Sequence, residues 1–465
     1  MIRKPHSIPS ALALACAVSL LAACGGGGGS GGSGGGGGPG DDDGDKGKPA
    51  VTYTLSGTIT GLNGSAVLQN AGDSVSVSGD GSFTFPTPVV EGEDYDAQVH
   101  SLQFANQTCL VANGSGTAMA DVDDISVECH PHTVPKYAYV ANRGSDTVSQ
   151  YTVGSDGSLT AVAGGSVAVE AEPNSVVMHP SGRFAYVANG SSNSVSQFAI
   201  GADGALAPLD PPQVVTGNGP SSLAVSPNGR HAYVANYGED TVSQYTIGAD
   251  GRLQPMAVPS VATGQKPQAV RVDPLGRYAY VVDSEAAAVS QFAIGDDGAL
   301  TAITATPPAT GFDPRFIAAS PDGRFLYVTN HGEDTVSQYA VGNDGALTPL
   351  AGPIVTTGLE PGEIAIDPTG AFAYVANYGD NTVSQFTIGA DGALVPNSPE
   401  FVATGTQPSS ISVTANGAYA YVANRGDGTI TRYEIAADGT LRTDNTVTSA
   451  AGTEPFAVSI ASDYQ

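Results

Sequence analysis

The sequence has no tryptophan, only four cysteines and few charged residues, which make up 13% of 465 positions. Lysine and arginine number 17 against 45 aspartates and glutamates, so the net charge is −28. A surface of this sign repels a phosphate backbone, and nucleic acid is therefore not an expected partner. The composition also excludes a helical bundle or coiled coil. What the sequence has is 61 glycines and 31 prolines, which is typical of short strands joined by tight turns.

Residues 1–23 have the pattern of an export signal. Arg3 and Lys4 precede the apolar run ALALACAVSLLAA, which is too short to span a bilayer as a mature helix. The following Leu-Ala-Ala-Cys24 resembles a bacterial lipobox, in which cleavage leaves a lipid-bearing Cys24 as the new N-terminus. The alternative is an ordinary signal peptide with an incidental cysteine, of which Cys16 is an example.

Residues 24–50 are mostly glycine and serine, followed by charged residues. Such a segment cannot bury enough apolar surface to fold, so it is predicted to be a flexible tether. Gly25 follows Cys24 where an aspartate would resemble an inner-membrane retention signal. We therefore expect a cell-envelope lipoprotein of the outer membrane or cell surface, with the membrane as a partner through lipid on Cys24.

Residues 51–130 alternate apolar and polar side chains in short runs between turns, which predicts a small antiparallel β-sandwich. The stretch weakly resembles the Ig-like modules that precede repeat domains in bacterial surface lipoproteins. Cys109 and Cys129 are the cysteines left after processing, so a disulfide between them is expected in an exported chain. It would stabilise the domain by about 3 kcal/mol. Two cysteines alone are too few ligands for a metal ion.

Residues 134–465 contain seven copies of a 47-residue repeat without insertion or deletion. Each copy has four short β-type runs and no helical period, which predicts an all-β, seven-bladed β-propeller. The repeat begins with a second strand and ends, at 454–460, with a first strand. The C-terminal segment is therefore expected to complete the first blade in a 3+1 ring closure. One tyrosine marks the repeat at 47-residue intervals: Tyr139, Tyr186, Tyr233, Tyr280, Tyr327, Tyr374 and Tyr421.

An Asp-Gly pair also recurs in every copy. It supplies the positive φ that a tight hairpin needs between the third and fourth strands. Calcium binding is the alternative, but one carboxylate per turn offers too few oxygen ligands. The pairs begin at Asp156, Asp203, Asp250, Asp297, Asp344, Asp391 and Asp438.

The recurrent Tyr-Val-Ala-Asn, as at 139–142, and Pro-Asp-Gly-Arg at 321–324 resemble the YVTN-repeat, lactonase-like propellers. That group includes propeller-type 6-phosphogluconolactonases and carboxymuconate cycloisomerases. The resemblance covers residues 134–465 and implies the fold. It does not imply one reaction, because related propellers also serve as surface and binding proteins.

A perfect sevenfold ring would offer no single reactive centre, so the candidate site residues are those that break the repeat. Arg271, Arg315 and Glu363 interrupt the small or neutral residues of three consecutive first strands, and His331 follows a second strand. Near one channel mouth these four could act on a carboxylated lactone. The arginines would hold the carboxylate or polarise the carbonyl, and His331 or Glu363 would take a proton from water.

The residue after each second strand also varies and is expected to line the mouth as a binding surface: Arg143, Tyr237, Tyr378 and Arg425. A structural alternative is that Arg271 pairs with Glu363 between blades and that His331 is a solvated loop residue. The sequence has neither GxSxG nor HExxH, and neither a cofactor nor a metal is expected.

Three functions remain open at this stage. The first is a monomeric, ligand- or protein-binding surface module for a glycan, peptide or protein. The second is a lactonase or cycloisomerase outside the cytoplasm. The third is a surface-layer or adhesion component.

Overall fold

The structure is a computed structural model that describes residues 51–62, 64–70, 73–102, 107–131, 134–303 and 306–463. The predicted signal, Cys24 and the tether lie outside these residues. Within the described ranges, no helix is long and apolar enough to cross a membrane.

Strands β1–β11 form the small domain, in which a sheet of order β5-β2-β11-β9 and a sheet of order β4-β3-β8 contribute to one core. Most pairs are antiparallel, as predicted, but β11 runs parallel to β2, with Val127 opposite Ile59. That expectation is corrected, because alternation shows which residues are buried and not which direction a strand runs. The strands are β1 (Thr52–Tyr53), β2 (Leu55–Thr60), β3 (Ser65–Asn70), β4 (Asp73–Ser78), β5 (Gly81–Thr84), β6 (Val89–Val90), β7 (Asp94–Asp96), β8 (Gln98–Leu102), β9 (Gln107–Ala112), β10 (Ser115–Thr117) and β11 (Val122–Pro131).

The core of the small domain is formed by alternate residues of its longer strands, including Leu55, Ile59 and Ile125. Cys109 of β9 lies directly opposite Cys129 of β11, and the two are joined by a disulfide. The predicted disulfide is therefore present.

Strands β12–β39 form seven four-stranded sheets, which confirms the all-β propeller class. Blades 2–7 each contain four consecutive antiparallel strands, and the first strands of successive blades contact one another around a channel. The first four of these are blade 2, with β15 (Pro173–Met178), β16 (Phe184–Asn189), β17 (Ser194–Ile200) and β18 (Leu206–Val215); blade 3, with β19 (Pro220–Val225), β20 (His231–Asn236), β21 (Thr241–Ile247) and β22 (Leu253–Ala262); blade 4, with β23 (Pro267–Val272), β24 (Tyr278–Asp283), β25 (Ala288–Ile294) and β26 (Leu300–Ala302); and blade 5, with β27 (Pro314–Ala319), β28 (Phe325–Asn330), β29 (Thr335–Val341) and β30 (Leu347–Thr356).

Two further blades follow the same order. They are blade 6, with β31 (Pro361–Ile366), β32 (Phe372–Asn377), β33 (Thr382–Ile388) and β34 (Leu394–Ala403), and blade 7, with β35 (Pro408–Val413), β36 (Tyr419–Asn424), β37 (Thr429–Ile435) and β38 (Leu441–Ala450).

Blade 1 is made from both ends of the repeat region. The strand β39 (Pro455–Asp463) is its first strand and pairs with β12 (Val134–Asn142), which pairs in turn with β13 (Thr147–Val153) and then β14 (Leu159–Ala168). In this register Ser459 lies opposite Tyr139. The sheet thus gives β12 a partner on each side, and neither of its edges is open.

The repeated tyrosine and the repeated Asp-Gly turn together form one link between neighbouring blades. The Tyr139 hydroxyl donates to the carbonyl of Gly204 at 2.8 Å, in the turn of the next blade. Tyr421 of blade 7 makes the same bond to Gly157 of blade 1, at 2.6 Å, and so links the last blade to the first. These tyrosines are fully buried, and burial raises the pKa of each hydroxyl above its usual range. The other five bonds join Tyr186, Tyr233, Tyr280, Tyr327 and Tyr374 to Gly251, Gly298, Gly345, Gly392 and Gly439.

The aspartate side chains of these turns accept hydrogen bonds within their own turns. The Asp156 carboxylate accepts the backbone N–H of Ser158 at 3.0 Å, and the other six turns repeat this bond. This geometry fixes the hairpin, as the sequence predicted.

Candidate functional site

The beginnings of the first strands and the residues after the second strands enclose a cavity of about 580 Å³ at one end of the channel. We call this end the mouth. All four predicted binding residues, Arg143, Tyr237, Tyr378 and Arg425, line this cavity. Arg315 and His331 line it too, together with Phe316 and Phe456.

Backbone hydrogen bonds fix the rim of the mouth. The N–H of His331 donates to the carbonyl of Asp313 at 3.0 Å, and Asp313 directly precedes the proline of its first strand. Equivalent bonds are made by the N–H groups of Arg143, Tyr237, Tyr378 and Arg425, each to the carbonyl of the residue before the first-strand proline of its own blade. Asp313 has φ 49°, a left-handed conformation that is strained for a residue with a side chain. The rim side chains therefore project from a backbone that the surrounding bonds determine.

Each arginine at the mouth is paired with a carboxylate on the rim. Arg315 forms a bidentate pair with Asp313, with N···O distances of 2.7 and 3.0 Å. Arg143 pairs with Glu172 at 3.3 Å, and Arg425 pairs with Glu454 at 2.9 Å. A hydrogen bond from Ser191, and then the bond from Arg143, lower the pKa of Glu172 below its usual value. The mouth thus offers guanidinium donors and carboxylate acceptors side by side.

Aromatic rings lie between these charges. The rings of His331 and Tyr378 are 6.3 Å apart between centroids, and the guanidinium of Arg143 lies 5.4 Å from the ring centre of Phe456. The His331 Nδ1 atom lies 3.3 Å from the carbonyl oxygen of Pro361. His331 is thus partly buried in the wall of the mouth, so the interpretation of a solvated loop residue is not supported.

The structure separates the four predicted catalytic residues. Arg271 and Glu363 line a second cavity of about 240 Å³, bounded by the loops that join first to second strands, at Pro274, Pro321 and Pro368. These loops are at the opposite end of the channel from the mouth, so the expectation of one shared site is corrected. The residues are separated because they lie at different depths in the channel. Arg315 is the second residue of its first strand and Arg271 is the fifth, which is a difference of about 10 Å along a strand.

The alternative prediction was that Arg271 and Glu363 form a structural pair between blades. The structure shows a bond between blades for Glu363 but not an ion pair between the two. The Glu363 carboxylate accepts a hydrogen bond from the Ser410 hydroxyl of the next blade. Burial raises the pKa of Glu363 to about 7, while Ser410 and then Arg271 act in the opposite direction. Arg271 makes neither a hydrogen bond nor an ion pair with any described residue.

Residues 97–312, 302–401 and 393–463 match the sequence family described as Lactonase, 7-bladed beta-propeller. The chain belongs to this lactonase propeller family. Its predicted resemblance to lactonase-like propellers is therefore confirmed. None of the curated proteins compared with the chain matches it in sequence.

Solved structures show the same fold as this lactonase-family chain. The periplasmic gluconolactonase of Pseudomonas aeruginosa is 22% identical, with a TM-score of 0.61, over 71% of this chain and 99% of that one. A Bacteroides fragilis protein provisionally named a 6-phosphogluconolactonase is 23% identical, with a TM-score of 0.60, over 70% and 98%. A Lactobacillus plantarum protein is 22% identical, with a TM-score of 0.61, over 70% and 99%. At these identities the likeness shows the fold alone.

Several mouth residues of this lactonase-family propeller escaped the sequence analysis. Phe316 and Phe456 line the mouth from first strands, and Asp313, Glu172 and Glu454 hold its arginines. A signal was present, because an acidic residue precedes the first-strand proline in several copies, as in Asp313-Pro314 and Glu454-Pro455.

Proposed function

We propose that this lactonase-family propeller is a lipid-anchored, extracytoplasmic binding protein. Its mouth would take a small molecule that carries a carboxylate and several hydroxyls, such as a sugar acid or its lactone. One observation carries the proposal: three arginines, each ion-paired with a carboxylate, and four aromatic rings line a single cavity of about 580 Å³. That volume suits a ligand of this size.

The chemistry of the rim supports this ligand class. A guanidinium that is bonded to one carboxylate keeps further N–H donors for a ligand carboxylate. The rim carboxylates, as acceptors, can each take a hydrogen bond from a sugar hydroxyl. Tyr237, Tyr378 and Phe316 offer flat apolar faces on which the C–H groups of a sugar ring can pack. Together these groups would fix both the position and the orientation of such a ligand.

Binding is favoured over catalysis because Glu172, the one carboxylate among the described residues that line the cavity, is held by Arg143. Hydrogen bonds from Ser191 and Arg143 lower the pKa of Glu172, which favours its ionised form and makes it a weak base. Glu363, whose pKa is raised to about 7, is at the other end of the channel.

Lactone hydrolysis is the second candidate, and the shared position of Arg315 and His331 favours it. Arg315 would polarise the lactone carbonyl, and His331 would take a proton from the attacking water. The ring C–O bond would then break, and the ring oxygen would receive a proton to give the hydroxy acid. The P. aeruginosa protein of the same fold is named a periplasmic gluconolactonase.

Binding can be tested by calorimetry with gluconate and glucono-δ-lactone as probes. The matched variant is Arg315→Ser, because Ser221 and Ser409 occupy the same repeat position. We expect this variant to bind gluconate at least about tenfold more weakly, since a charge-assisted pair is lost. Arg252→Ser, on the exposed Asp-Gly turn of blade 3, is the control and is expected to bind normally. A parent protein that binds neither probe would contradict the proposal.

Hydrolysis can be tested in parallel by pH-stat titration of glucono-δ-lactone, with the buffer rate subtracted. If the parent accelerates ring opening and His331→Gln does not, the protein is a hydrolase. If binding occurs without acceleration, the mouth is a binding site only.

The anchor rests on the sequence around Cys24 and is tested separately. Metabolic labelling with a fatty-acid analogue should label the parent chain and the Cys16→Ser variant, and leave Cys24→Ser unlabelled. Label on Cys24→Ser would contradict the anchor without affecting the proposal for the mouth.

A further inference from the structure

The end of the channel opposite the mouth carries a second cavity, whose lining includes two charged side chains, Arg271 and Glu363. This cavity of about 240 Å³ is lined by Arg271, Glu363 and mainly apolar residues, including Ile317, Ala365 and Val413. It has room for a molecule with a short apolar part and a single charged group.

The other six blades form without an arginine at the position of Arg271. The equivalent first-strand position in the other six blades is occupied by Val177, Ala224, Ala318, Ala365, Ser412 and Ser459. First strands surround the Arg271 side chain, yet water can reach it through the channel. In the part of the chain that the structure describes, its guanidinium has neither a hydrogen-bond acceptor nor an ion-pair partner. A guanidinium with unused donors, in the wall of a cavity that water can enter, is suited to an anion.

Glu363 occupies a position where three of the six other blades have serine: Ser175, Ser222 and Ser410. The hydroxyl of Ser222 accepts the N–H of Val270 in the next blade at 3.2 Å, and that of Ser410 accepts the N–H of Val458 at 3.1 Å. Glu363 bonds in a similar way to Ile411 and also accepts a hydrogen bond from the Ser410 hydroxyl. A serine would therefore satisfy the blade contact, and the carboxyl group is additional to what the fold needs.

We propose that Arg271 and Glu363 form a second ligand site, which binds a small aliphatic monocarboxylate. Arg271 donates to the ligand carboxylate, and the protonated carboxyl of Glu363 supplies a further donor. The short alkyl part packs against Ile317, Ala365 and Val413. This site is distinct from the mouth and does not depend on the function proposed there.

The site is expected to weaken as pH rises. Arg271 and Glu363 are the titratable groups that line the cavity on the four first strands β23, β27, β31 and β35. Two further acids lie nearby, but Asp273 is bonded to Arg277 and Asp367 to Thr369, within their own turns. Above its pKa of about 7, Glu363 becomes an anion that competes for Arg271 and repels a carboxylate.

The test uses the purified full chain and butyrate, with binding measured by calorimetry at pH 6 and pH 8. With a pKa of about 7, the protonated fraction of Glu363 falls about tenfold over this range, and the affinity should fall with it. Arg271→Ala, which restores the residue of Ala224 and Ala318, should abolish butyrate binding at both pH values. Glu363→Ser, which restores the residue of Ser222 and Ser410, should bind butyrate with little dependence on pH.

Arg315→Ser at the mouth is the control and should bind butyrate as the parent does. Arg271→Ala and Glu363→Ser each introduce a residue that other blades have at the same position. Near-ultraviolet circular dichroism checks that both variants fold. The proposal is overturned if the parent does not bind butyrate at pH 6, or if Arg271→Ala binds it equally well. It is also overturned if inorganic phosphate, and not butyrate, binds in an Arg271-dependent way.

Discussion

The two ends of the channel are built from the same repeat but hold their charges differently. At the mouth, Arg143, Arg315 and Arg425 each have a carboxylate partner, and these side chains are partly open to solvent. At the opposite end, Arg271 has neither a hydrogen-bond nor an ion-pair partner among the residues that the structure describes, and Glu363 is largely removed from water. Burial raises the pKa of Glu363 to about 7, whereas the hydrogen bonds that Glu172 accepts at the mouth lower its pKa. The same repeat can therefore hold a carboxyl group in two environments that shift its pKa in opposite directions.

The largest expected effect comes from removing a strand that serves both ends. The strand β39 contributes Phe456 to the mouth and Ser459 to the ring position equivalent to Arg271. Deleting residues 454–465 would leave β12 with an open edge and remove the core contacts of Val458 and Ala461. We expect the cooperative thermal transition of the propeller to be lost. Deleting only 464–465 is the control and should leave the transition unchanged.

A large effect on stability is also expected from a substitution of Asp283. This residue ends its second strand at the mouth side, where the other six blades have asparagine. Its side chain is 1% exposed, and burial raises its pKa to about 6. Six other blades have asparagine at this position, where Asn236 donates to Ser243 at 2.8 Å and Asn330 accepts from Gly311 at 3.0 Å. Asp283→Asn can make both bonds, to Ser290 and Gly264, without burying a charge.

The sign of the Asp283 effect follows from the direction of its pKa. The folded state holds the proton more tightly than the unfolded state, so the parent loses stability as pH rises from about 4 to 6. Asp283→Asn should therefore be more stable than the parent by about 2 to 3 kcal/mol at pH 8, with little difference at pH 4. Denaturant unfolding at both pH values measures this. An equal gain at both would show that the carboxyl is not the cause.

The fold was predictable because the sequence repeats the pattern of one blade seven times. The tyrosines and the Asp-Gly turns were both identified from the sequence, but their bond, such as Tyr139 to Gly204, was not. They lie 65 residues apart in chain number, and nothing in a single sequence shows that neighbouring blades bring them together.

The sequence selected candidate site residues but not their grouping. Breaks in the repeat drew attention to Arg271, Arg315 and Glu363, which the structure places at cavities of the channel, and their functional roles stay predictions. Arg315 is the second residue of its first strand and lies near the mouth, whereas Arg271 is the fifth and lies towards the opposite end. Position alone does not decide the grouping, because Phe316 is a third residue, as Glu363 is, and yet lines the mouth.

A smaller effect should distinguish the two ends directly. Gluconate binding at the mouth is expected to have the same pH profile in the parent and in Glu363→Ser, because Glu363 lines the cavity at the other end of the channel. Butyrate binding by the parent should fall about tenfold between pH 6 and pH 8, and this fall should be absent in Glu363→Ser. Calorimetry of both ligands on both proteins makes the comparison. A gluconate profile that changes in Glu363→Ser would mean that the two ends are coupled.

The smallest effect is expected from Ser410→Ala, which removes the hydroxyl that donates to the Glu363 carboxylate. That bond favours the ionised form, so its loss should raise the pKa of Glu363 and move the midpoint of the butyrate pH profile upward. Ser222→Ala is the matched control: Ser222 accepts the N–H of Val270 as Ser410 accepts that of Val458, and both variants lose this bond. The control midpoint should not move. A downward shift in Ser410→Ala would mean that the pH dependence of butyrate binding does not come from Glu363, since removing a donor cannot stabilise its anion.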